Sequence, residues 1–161
     1  MATPQAAPAT GTSGATSKRG ETLWVGVLRD LPLFSGVSAR HIRKVAALTR
    51  GVRFAAGTTI VTAGEPGDDF YVILEGGASV LRRGGLPPIK IGSGAYFGEM
   101  SLLDGGERSA TVRADSDVVC LRVSRAPFLK MIKSEPEIAV ALLRELSQRI
   151  RELQAQAYLT A

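Results

Sequence analysis

The most constraining feature of this 161-residue chain is a change of hydrophobic period along its length. Between Gly51 and Val123, short runs of alternating or β-branched residues are separated by Gly, Pro and Asp. Several short strands at such intervals are typical of an antiparallel sandwich or barrel. On both sides of this segment, the apolar residues recur at helical spacing. We therefore predict an α+β fold, an antiparallel β-roll (a jelly-roll-like barrel) with N-terminal helices and two C-terminal helices.

The N-terminal part of the chain predicts a tail followed by two helices. Residues 1–20 are mostly Ala, Thr, Pro, Ser and Gly, which is the composition of a flexible tail. Apolar residues at helical spacing predict a first helix over 21–30. Ser38 can cap a second helix over 39–48, since its hydroxyl can accept from an unpaired backbone amide. We place the folded domain at residues 21–161.

The C-terminal part of the chain predicts the two remaining helices. After Arg125 the apolar period is again helical and indicates one short helix. Ser134 and Glu137 have the spacing of a capping box, in which each side chain satisfies the other residue's backbone amide. This pattern predicts that the final helix begins at about Glu135 and continues into the region of Ala157.

The segment 97–112 contains groups that suit a sugar and a phosphate held side by side. Gly98 lets the backbone approach a ligand closely because it has no side chain. A short helix beginning at Glu99 would direct backbone N–H groups towards an anion. Arg108 offers a planar fork of donors that matches phosphate geometry. Because a carboxylate repels a phosphate, we expect Glu99 to accept a hydrogen bond from a ribose 2′-hydroxyl.

This segment resembles the phosphate-binding cassette of the cyclic nucleotide-binding domain. That family includes catabolite-activator-type regulators, cyclic-nucleotide-gated channels and cyclic-nucleotide-dependent kinases. The segment from Gly64 to Gly76 resembles the family's hairpin signature, and the whole resemblance runs from about Leu31 to Leu153. The signature positions matched are Gly64, Gly76, Gly98, Glu99, Arg108 and Ala110. The resemblance implies a β-roll flanked by helices and a cytoplasmic, non-enzymatic cyclic nucleotide sensor.

Loop chemistry and the resemblance together give a set of candidate ligand-binding residues. Those in the cassette are Gly98, Glu99, Met100, Ser101, Arg108, Ser109 and Ala110. The base is expected to stack on the β-roll near Val80. By register with the family, Leu153 or Gln154 of the last helix caps the purine, and the Gln154 amide can bond an adenine edge. Arg149 and Arg151 are alternative caps through cation–π contact with the base.

The position after the cassette arginine bears on which base is bound. In the family, Thr at this position often accompanies cyclic GMP, because its hydroxyl meets the guanine edge. Here the residue is Ser109, which is also found in relatives that bind cyclic AMP. The resemblance therefore favours cyclic AMP as the ligand, with cyclic GMP or a mixed response as the alternative. A protein-interaction module with a vestigial pocket is a further alternative.

The last helix also carries a pattern suited to protein contact. An a/d heptad pattern includes Leu143, Leu146, Ile150, Leu153 and Ala157. This stripe predicts either a homodimer or packing against the chain's own barrel, and both alternatives stay open. No DNA-binding, kinase or channel domain follows this helix in the sequence, so we expect a stand-alone sensor that signals to an unidentified effector protein in trans.

Composition and residue types argue against several other classes of protein. No apolar run approaches the roughly 20 residues that a membrane span needs, and the N-terminus has no secretory h-region. The net charge is +5, but no helix-turn-helix accompanies it, so direct DNA binding is not expected. Cys120 is the single cysteine and is predicted to be buried in a strand, consistent with a reducing compartment.

The sequence also lacks the residue combinations that an enzyme active site or a metal site needs. His41 is the only histidine, and it falls on a polar helix face where a surface or capping position is expected. No nucleophile, base and orienting residue occur together, and Glu99 with Arg108 suits recognition of a ligand better than hydrolysis. We therefore predict no catalytic residues, no metal site and no cofactor other than the bound nucleotide.

Overall fold

The computed structural model describes residues 18–159, with side chains from Thr22 onward except that of Arg83. The described residues divide into two compact units. Residues 49–128 form a β unit, and the remaining segments on either side of it form a helical unit. Of the predicted tail, only residues 18–20 are described, and they belong to the first helix. Residues 1–17 lie outside the described part of the chain.

The β unit contains two four-stranded antiparallel sheets. Its strands are β1 Thr49–Phe54, β2 Thr59–Val61, β3 Asp69–Glu75, β4 Ala78–Leu81, β5 Ile89–Ile91, β6 Tyr96–Phe97, β7 Thr111–Ala114 and β8 Val118–Ser124. One sheet has the order β1-β8-β3-β6 and the other β2-β7-β4-β5. Both sheets contribute to one apolar cluster, formed by Val52, Val61, Tyr71, Ile73, Ala78, Phe97, Val112, Ala114, Val118 and Cys120. The predicted antiparallel β-roll is thus confirmed.

The turn between β3 and β4 depends on a glycine. Gly76 has a φ of 86°, a left-handed conformation that side chains disfavour. A Cβ at this position would also overlap the carbonyl oxygen of Asp117, at the beginning of the neighbouring strand. The next amide, that of Gly77, donates to Ser116 Oγ over 3.0 Å. Gly76 therefore allows the hairpin to lie directly against the loop that leads into β8.

The four helices predicted from the hydrophobic period are present, and the short helix expected at Glu99 lies between β6 and β7. They are α1 Lys18–Arg29, α2 Ala39–Ala47, α3 Glu99–Asp104, α4 Arg125–Ser134 and α5 Pro136–Leu159, with a 3-10 turn at Pro32–Phe34. Ser38 caps α2 as expected, since its side chain accepts from the backbone N–H of His41. The two predicted C-terminal helices are confirmed as α4 and α5. No helix among the described residues is both long and apolar enough to cross a membrane.

The predicted capping box at the start of the last helix is wrong. Ser134 is the final residue of α4, and its Oγ donates to the carbonyl of Met131 over 2.9 Å. Its hydroxyl is thus used at the end of one helix and does not cap the next. The helix α5 begins at Pro136, whose missing N–H costs nothing at a first helical position. Glu135 alone separates the two helices.

Of the two positions expected for His41, surface or capping, the surface position is wrong, because the residue is buried in the helical unit. Its Nε2 lies 2.9 Å from Glu135 Oε2, and its Nδ1 lies 3.0 Å from Ser38 Oγ. Lys44 also contacts this carboxylate and forms an ion pair with Glu135. Glu135 is 94 residues away in sequence, so the pattern of α2 alone could not reveal this partner. His41 joins α2 to the junction between α4 and α5.

The prediction that Cys120 is buried is confirmed. The residue lies on β8 with no exposed surface. Burial raises the pKa of the Cys120 thiol to about 12, because the interior disfavours a thiolate. Cys120 is therefore a packing residue and not a reactive thiol.

Candidate functional site

The cassette segment contains a single short helix, α3, between β6 and β7. Gly98 precedes it with a φ of 86°, and Gly105 ends it with a φ of 70°. The amide of Leu102 donates to the carbonyl of Gly98 over 3.1 Å, which makes the first helical turn. Leu102 is fully buried, so its side chain fixes the loop to the β-roll. The two glycines let the chain enter and leave this helix at sharp angles.

The guanidinium of Arg108 is unusually buried for an arginine. The residue is 8% exposed, and its Nη1 donates to the carbonyl oxygen of Asp69 over 2.7 Å. A buried arginine needs partners for its charge and its donors. Because a guanidinium has five N–H donors, the contact with one carbonyl leaves capacity for an anion.

Two glycines make the space that Arg108 occupies. A Cβ built on Gly67 would lie 2.6 Å from Cζ of Arg108, and one built on Gly98 would lie 2.6 Å from Nη1. Distances under 3.0 Å are not seen for real Cβ atoms. The arginine side chain therefore lies in a cradle, formed by Gly67, Gly98 and the carbonyl of Asp69. This cradle fixes where the guanidinium can point.

The hairpin loop before β3 holds the backbone at the end of the cassette. The amide of Gly64 donates to the carbonyl of Arg108 over 2.9 Å. In return, the amide of Arg108 donates to the carbonyl of Glu65 over 2.8 Å. Pro66 and Glu107 form an isolated antiparallel bridge beside these bonds. The two segments that resemble the family's signatures are thus adjacent in space, although about forty residues separate them.

An aromatic side chain lies close to the cradle. Tyr71 on β3 stacks on Phe97, with ring centroids 5.2 Å apart. The pKa of Tyr71 is raised to about 12, mainly by burial and then by the charge of Asp69, while Arg108 and Arg122 oppose the rise. The phenol is therefore neutral over the physiological range, and adds no negative charge beside Arg108.

The carboxylate of Glu99 occupies the first position of α3 and is partly buried. In this position it interacts favourably with the positive end of the helix dipole. The same N-terminal turn directs backbone amides outwards, since the first amides of a helix have no acceptor within it. The loop therefore presents a carboxylate, backbone donors and a guanidinium on one short segment.

The remaining candidates in the β unit have different exposures. Met100 is 58% exposed, whereas Ser101 is buried in the first turn of α3. Ser109 is exposed, and Ala110 is partly buried. Val80 on β4 pairs with Val112 of β7 and packs against the core cluster of the β-roll.

The candidates on the last helix belong to the helical unit. Leu153 and Gln154 lie on α5 and are exposed, as are Arg149 and Arg151. Along the heptad stripe, Leu143, Ile150 and Leu153 are more than half exposed, and Ala157 is exposed as well. Leu146 is partly buried. Most of this apolar stripe thus faces solvent in the single chain.

Two residues of the cradle were not among the candidates chosen from the sequence. Gly67 and Asp69 both lie in the hairpin signature, which was recognised by resemblance without a role for its individual residues. Gly67 removes a side chain, and Asp69 contributes a backbone oxygen. The Asp69 carboxylate accepts from Ser124 Oγ over 2.7 Å, which fixes the start of β3. The glycine at position 67 was the available signal in the sequence. Its role could not be assigned from the sequence, because it depends on Arg108, which lies far along the chain.

A family model of the cyclic nucleotide-binding domain matches residues 51–135. This match covers more than half of the 161 residues. The chain belongs to the cyclic nucleotide-binding domain family. The matched segment contains the cradle of Arg108, all of the cassette and the hairpin loop that holds it.

Several proteins with this domain are similar to the chain. A cyclic nucleotide-gated potassium channel of Mesorhizobium japonicum is 38% identical over 109 residues, which are 68% of this chain and 30% of the channel. A cAMP-dependent protein kinase regulatory subunit of Aspergillus niger is 32% identical over 111 residues, 68% of this chain and 27% of the subunit. The chain thus spans less than a third of these two relatives.

A solved structure supports the same assignment. It is the regulatory domain of Toxoplasma gondii PKA, determined with cAMP. Its TM-score is 0.68 at 30% sequence identity, and the match covers 85% of this chain and 52% of that one. The cyclic nucleotide-binding domain described here therefore has the fold of a family whose known members include regulatory proteins.

Proposed function

We propose that this chain is a non-enzymatic sensor that binds cyclic AMP through the cassette 97–112. The observation that carries the proposal is the cradle, in which Arg108 is buried and held by Gly67, Gly98 and the carbonyl of Asp69. A guanidinium that is already positioned loses little conformational freedom when it binds an anion. A cyclic phosphodiester carries one negative charge, which one arginine neutralises.

The proposed ligand position uses the whole loop. Arg108 and the first amides of α3 bind the phosphate, and Glu99 accepts from the ribose 2′-hydroxyl. Met100, Ser101, Ser109 and Ala110 line the same segment. Support comes from the arrangement of these residues on one short loop, closed at its end by the bonds between Arg108 and the hairpin. Free phosphate lacks a 2′-hydroxyl, so Glu99 would oppose its binding by charge repulsion.

The choice of cyclic AMP rests on the named relatives and on Ser109. The Aspergillus niger subunit belongs to a cAMP-dependent kinase, and the Toxoplasma gondii domain was solved with cAMP. The Mesorhizobium japonicum channel is named only for a cyclic nucleotide. Cyclic GMP therefore stays as the alternative ligand, since the serine hydroxyl at position 109 can also meet a guanine edge.

The output of the sensor is proposed to be a protein contact made by α5. Leu153 or Gln154 is proposed to cover the purine, with Arg149 and Arg151 as alternatives, and Val80 to line the base. An effector in trans or a second copy of the chain would then meet the exposed stripe of this helix. A ligand shifts a protein between two states only if it binds one of them better. We therefore expect α5 to differ between the free and bound protein.

Calorimetric titration of the purified chain with cyclic AMP and cyclic GMP tests this function. We expect saturable binding of both, with the higher affinity for cyclic AMP. A Ser109→Thr variant should move the ratio towards cyclic GMP, because threonine keeps the hydroxyl and adds a methyl group. A Thr111→Ser variant is the control, since its hydroxyl already accepts from the Ala63 amide over 2.9 Å. Absence of binding to either nucleotide would support the vestigial-pocket alternative.

A further inference from the structure

One histidine and two glutamates meet where α2 contacts the junction between α4 and α5. A ring nitrogen of His41 and one carboxylate oxygen each of Glu135 and Glu137 all lie within 4.8 Å of one another. Glu135 separates the two helices, and Glu137 lies in the first turn of α5. All three residues belong to the helical unit, and none is a candidate for binding the cyclic nucleotide.

The short distance between His41 and Glu135 requires a proton or a metal ion between the two side chains. Nε2 of His41 lies 2.9 Å from Oε2 of Glu135. An unprotonated ring nitrogen and an ionised carboxylate both present lone pairs, so they repel each other unless they share a positive centre. His41 is buried and Glu135 is partly buried, which strengthens their attraction for a cation. A metal ion that replaces the proton therefore finds one nitrogen and one oxygen ligand already together.

Two neighbouring side chains orient these ligands. On the other side of the ring, Nδ1 of His41 lies 3.0 Å from Oγ of Ser38. A hydroxyl can accept from Nδ1–H, and this tautomer leaves the lone pair of Nε2 free for a metal ion. Lys44 forms its ion pair with Oε1 of Glu135, which leaves Oε2 to face the ring. Outer partners of this kind fix the orientation of imidazole and carboxylate ligands in metal sites.

Glu137 supplies the third ligand and the charge that a dication needs. Its side chain is exposed, so rotation about its bonds can bring an oxygen to the ion. The ligands of a tetrahedral Zn²⁺ lie about 2.0–2.2 Å from the ion and therefore roughly 3.4 Å from one another. Two carboxylates and the ammonium of Lys44 together carry one net negative charge. An imidazole ligand favours zinc over magnesium and calcium, which prefer oxygen ligands.

We propose that His41, Glu135 and Glu137 form a binding site for Zn²⁺, with water completing the coordination. The ion replaces the proton between Nε2 of His41 and Oε2 of Glu135. The sequence predicted no metal site, because His41 is its only histidine, but the fold brings a carboxylate from 94 residues away to that ring. Bound zinc joins α2 to the start of α5 and so stabilises the folded helical unit. The site does not depend on the binding of a cyclic nucleotide.

Titration of the EDTA-treated and dialysed protein with ZnCl₂ tests the site when it is followed by NMR. His41 is the only histidine of the chain, so the carbon-bound protons of its ring report on this residue alone. We expect these signals to shift as Zn²⁺ is added, and the melting temperature of the protein to rise. Mg²⁺ should produce neither effect. Unchanged ring signals of His41 with Zn²⁺ in excess would overturn the proposal.

Glutamine variants test the individual ligands. Glu137→Gln changes an exposed side chain and should keep the fold, while the affinity for Zn²⁺ measured by calorimetry should fall by about tenfold or more, since loss of even an outer partner has such an effect. Glu152→Gln is the matched control, because Glu152 is exposed on the same helix but lies outside the cluster. Equal Zn²⁺ affinities of these two variants would overturn the three-residue site. His41→Gln should abolish the rise in melting temperature with Zn²⁺, and a rise as large as that of the wild type would also overturn it.

Discussion

Gly98 and Arg108 depend on each other, because the guanidinium occupies the space that a side chain at position 98 would fill. A Cβ there would lie 2.6 Å from Nη1 of Arg108 and 2.6 Å from the carbonyl oxygen of Asp69. Gly98 also has a φ of 86°. The glycine at this position therefore serves two purposes, since it permits the turn into α3 and it leaves the arginine in place.

Replacing Gly98 should harm stability more than left-handed strain alone explains. We expect Gly98→Ala to lower the free energy of unfolding by about 1–3 kcal/mol and to weaken cyclic AMP binding. Gly94→Ala is the matched control, since Gly94 also has a φ of 86° but nothing within 4 Å of its Cβ position. Urea denaturation of both variants isolates the effect of the clash. Equal losses in the two variants would show that the cradle tolerates a methyl group.

The substitution Gly67→Ala should act mainly on ligand binding. Its Cβ would meet the side chain of Arg108, whose Cζ is 2.6 Å away, and no backbone atom is among its nearest neighbours. A flexible side chain can move aside, so we expect a small loss of stability and a clear loss of cyclic AMP affinity. Gly77→Ala is the control, because its nearest neighbour is 3.6 Å away. Calorimetry that finds both variants binding alike would contradict this role.

The Asp115 carboxylate should show a low pKa that depends on Ser79. Ser79 Oγ donates to Asp115 Oδ2 over 2.7 Å, and Lys90 Nζ does so over 2.9 Å. The bond from Ser79 and then the bond from Lys90 hold the pKa of Asp115 below its ordinary value. The stabilisation by this ionised group is therefore present above the ordinary pKa of an aspartate, and is lost as the pH falls through the lowered pKa. Ser79→Ala should raise this pKa in an NMR titration, and an unmoved pKa would disprove the assignment.

Removing the His41 ring should destabilise the helical unit. His41→Ala takes away the contacts with Glu135 and Ser38 and opens space in a buried region. We expect a loss of about 1–3 kcal/mol in the free energy of unfolding. Arg40→Ala on the exposed part of the same helix is the control and should change stability little. If the two variants unfold at the same denaturant concentration, the buried contact contributes nothing.

The sequence predicted the features that local pattern determines. The change from helical to strand period predicted the β-roll and the helices at both ends, because burial repeats along each element. Ser38 was recognised as a cap since its role involves neighbours three residues away. Gly98 and Arg108 were chosen from chemistry and from family resemblance. In these cases the relevant partners lie on one short segment.

Features that depend on distant partners were missed or misassigned. Gly67 has a role only because Arg108 folds back onto it, and the buried His41 contacts Glu135, which is 94 residues away. Ser134 has the spacing of a cap, but its hydroxyl bonds the preceding turn. The spacing of residues shows which contacts can form within a segment. It does not show whether a residue from a distant part of the chain, or another group nearby, takes the place of that contact.

The most direct measurement is the calorimetric titration of cyclic AMP into the wild type, Arg108→Ala and Arg113→Ala. We expect saturable binding by the wild type and by Arg113→Ala, which removes an exposed arginine of β7. In Arg108→Ala the affinity should fall at least tenfold, about 1.4 kcal/mol, while the circular dichroism of the fold is kept. No saturable binding by the wild type, or equal affinity in a folded Arg108→Ala, would contradict the binding of cyclic AMP through Arg108.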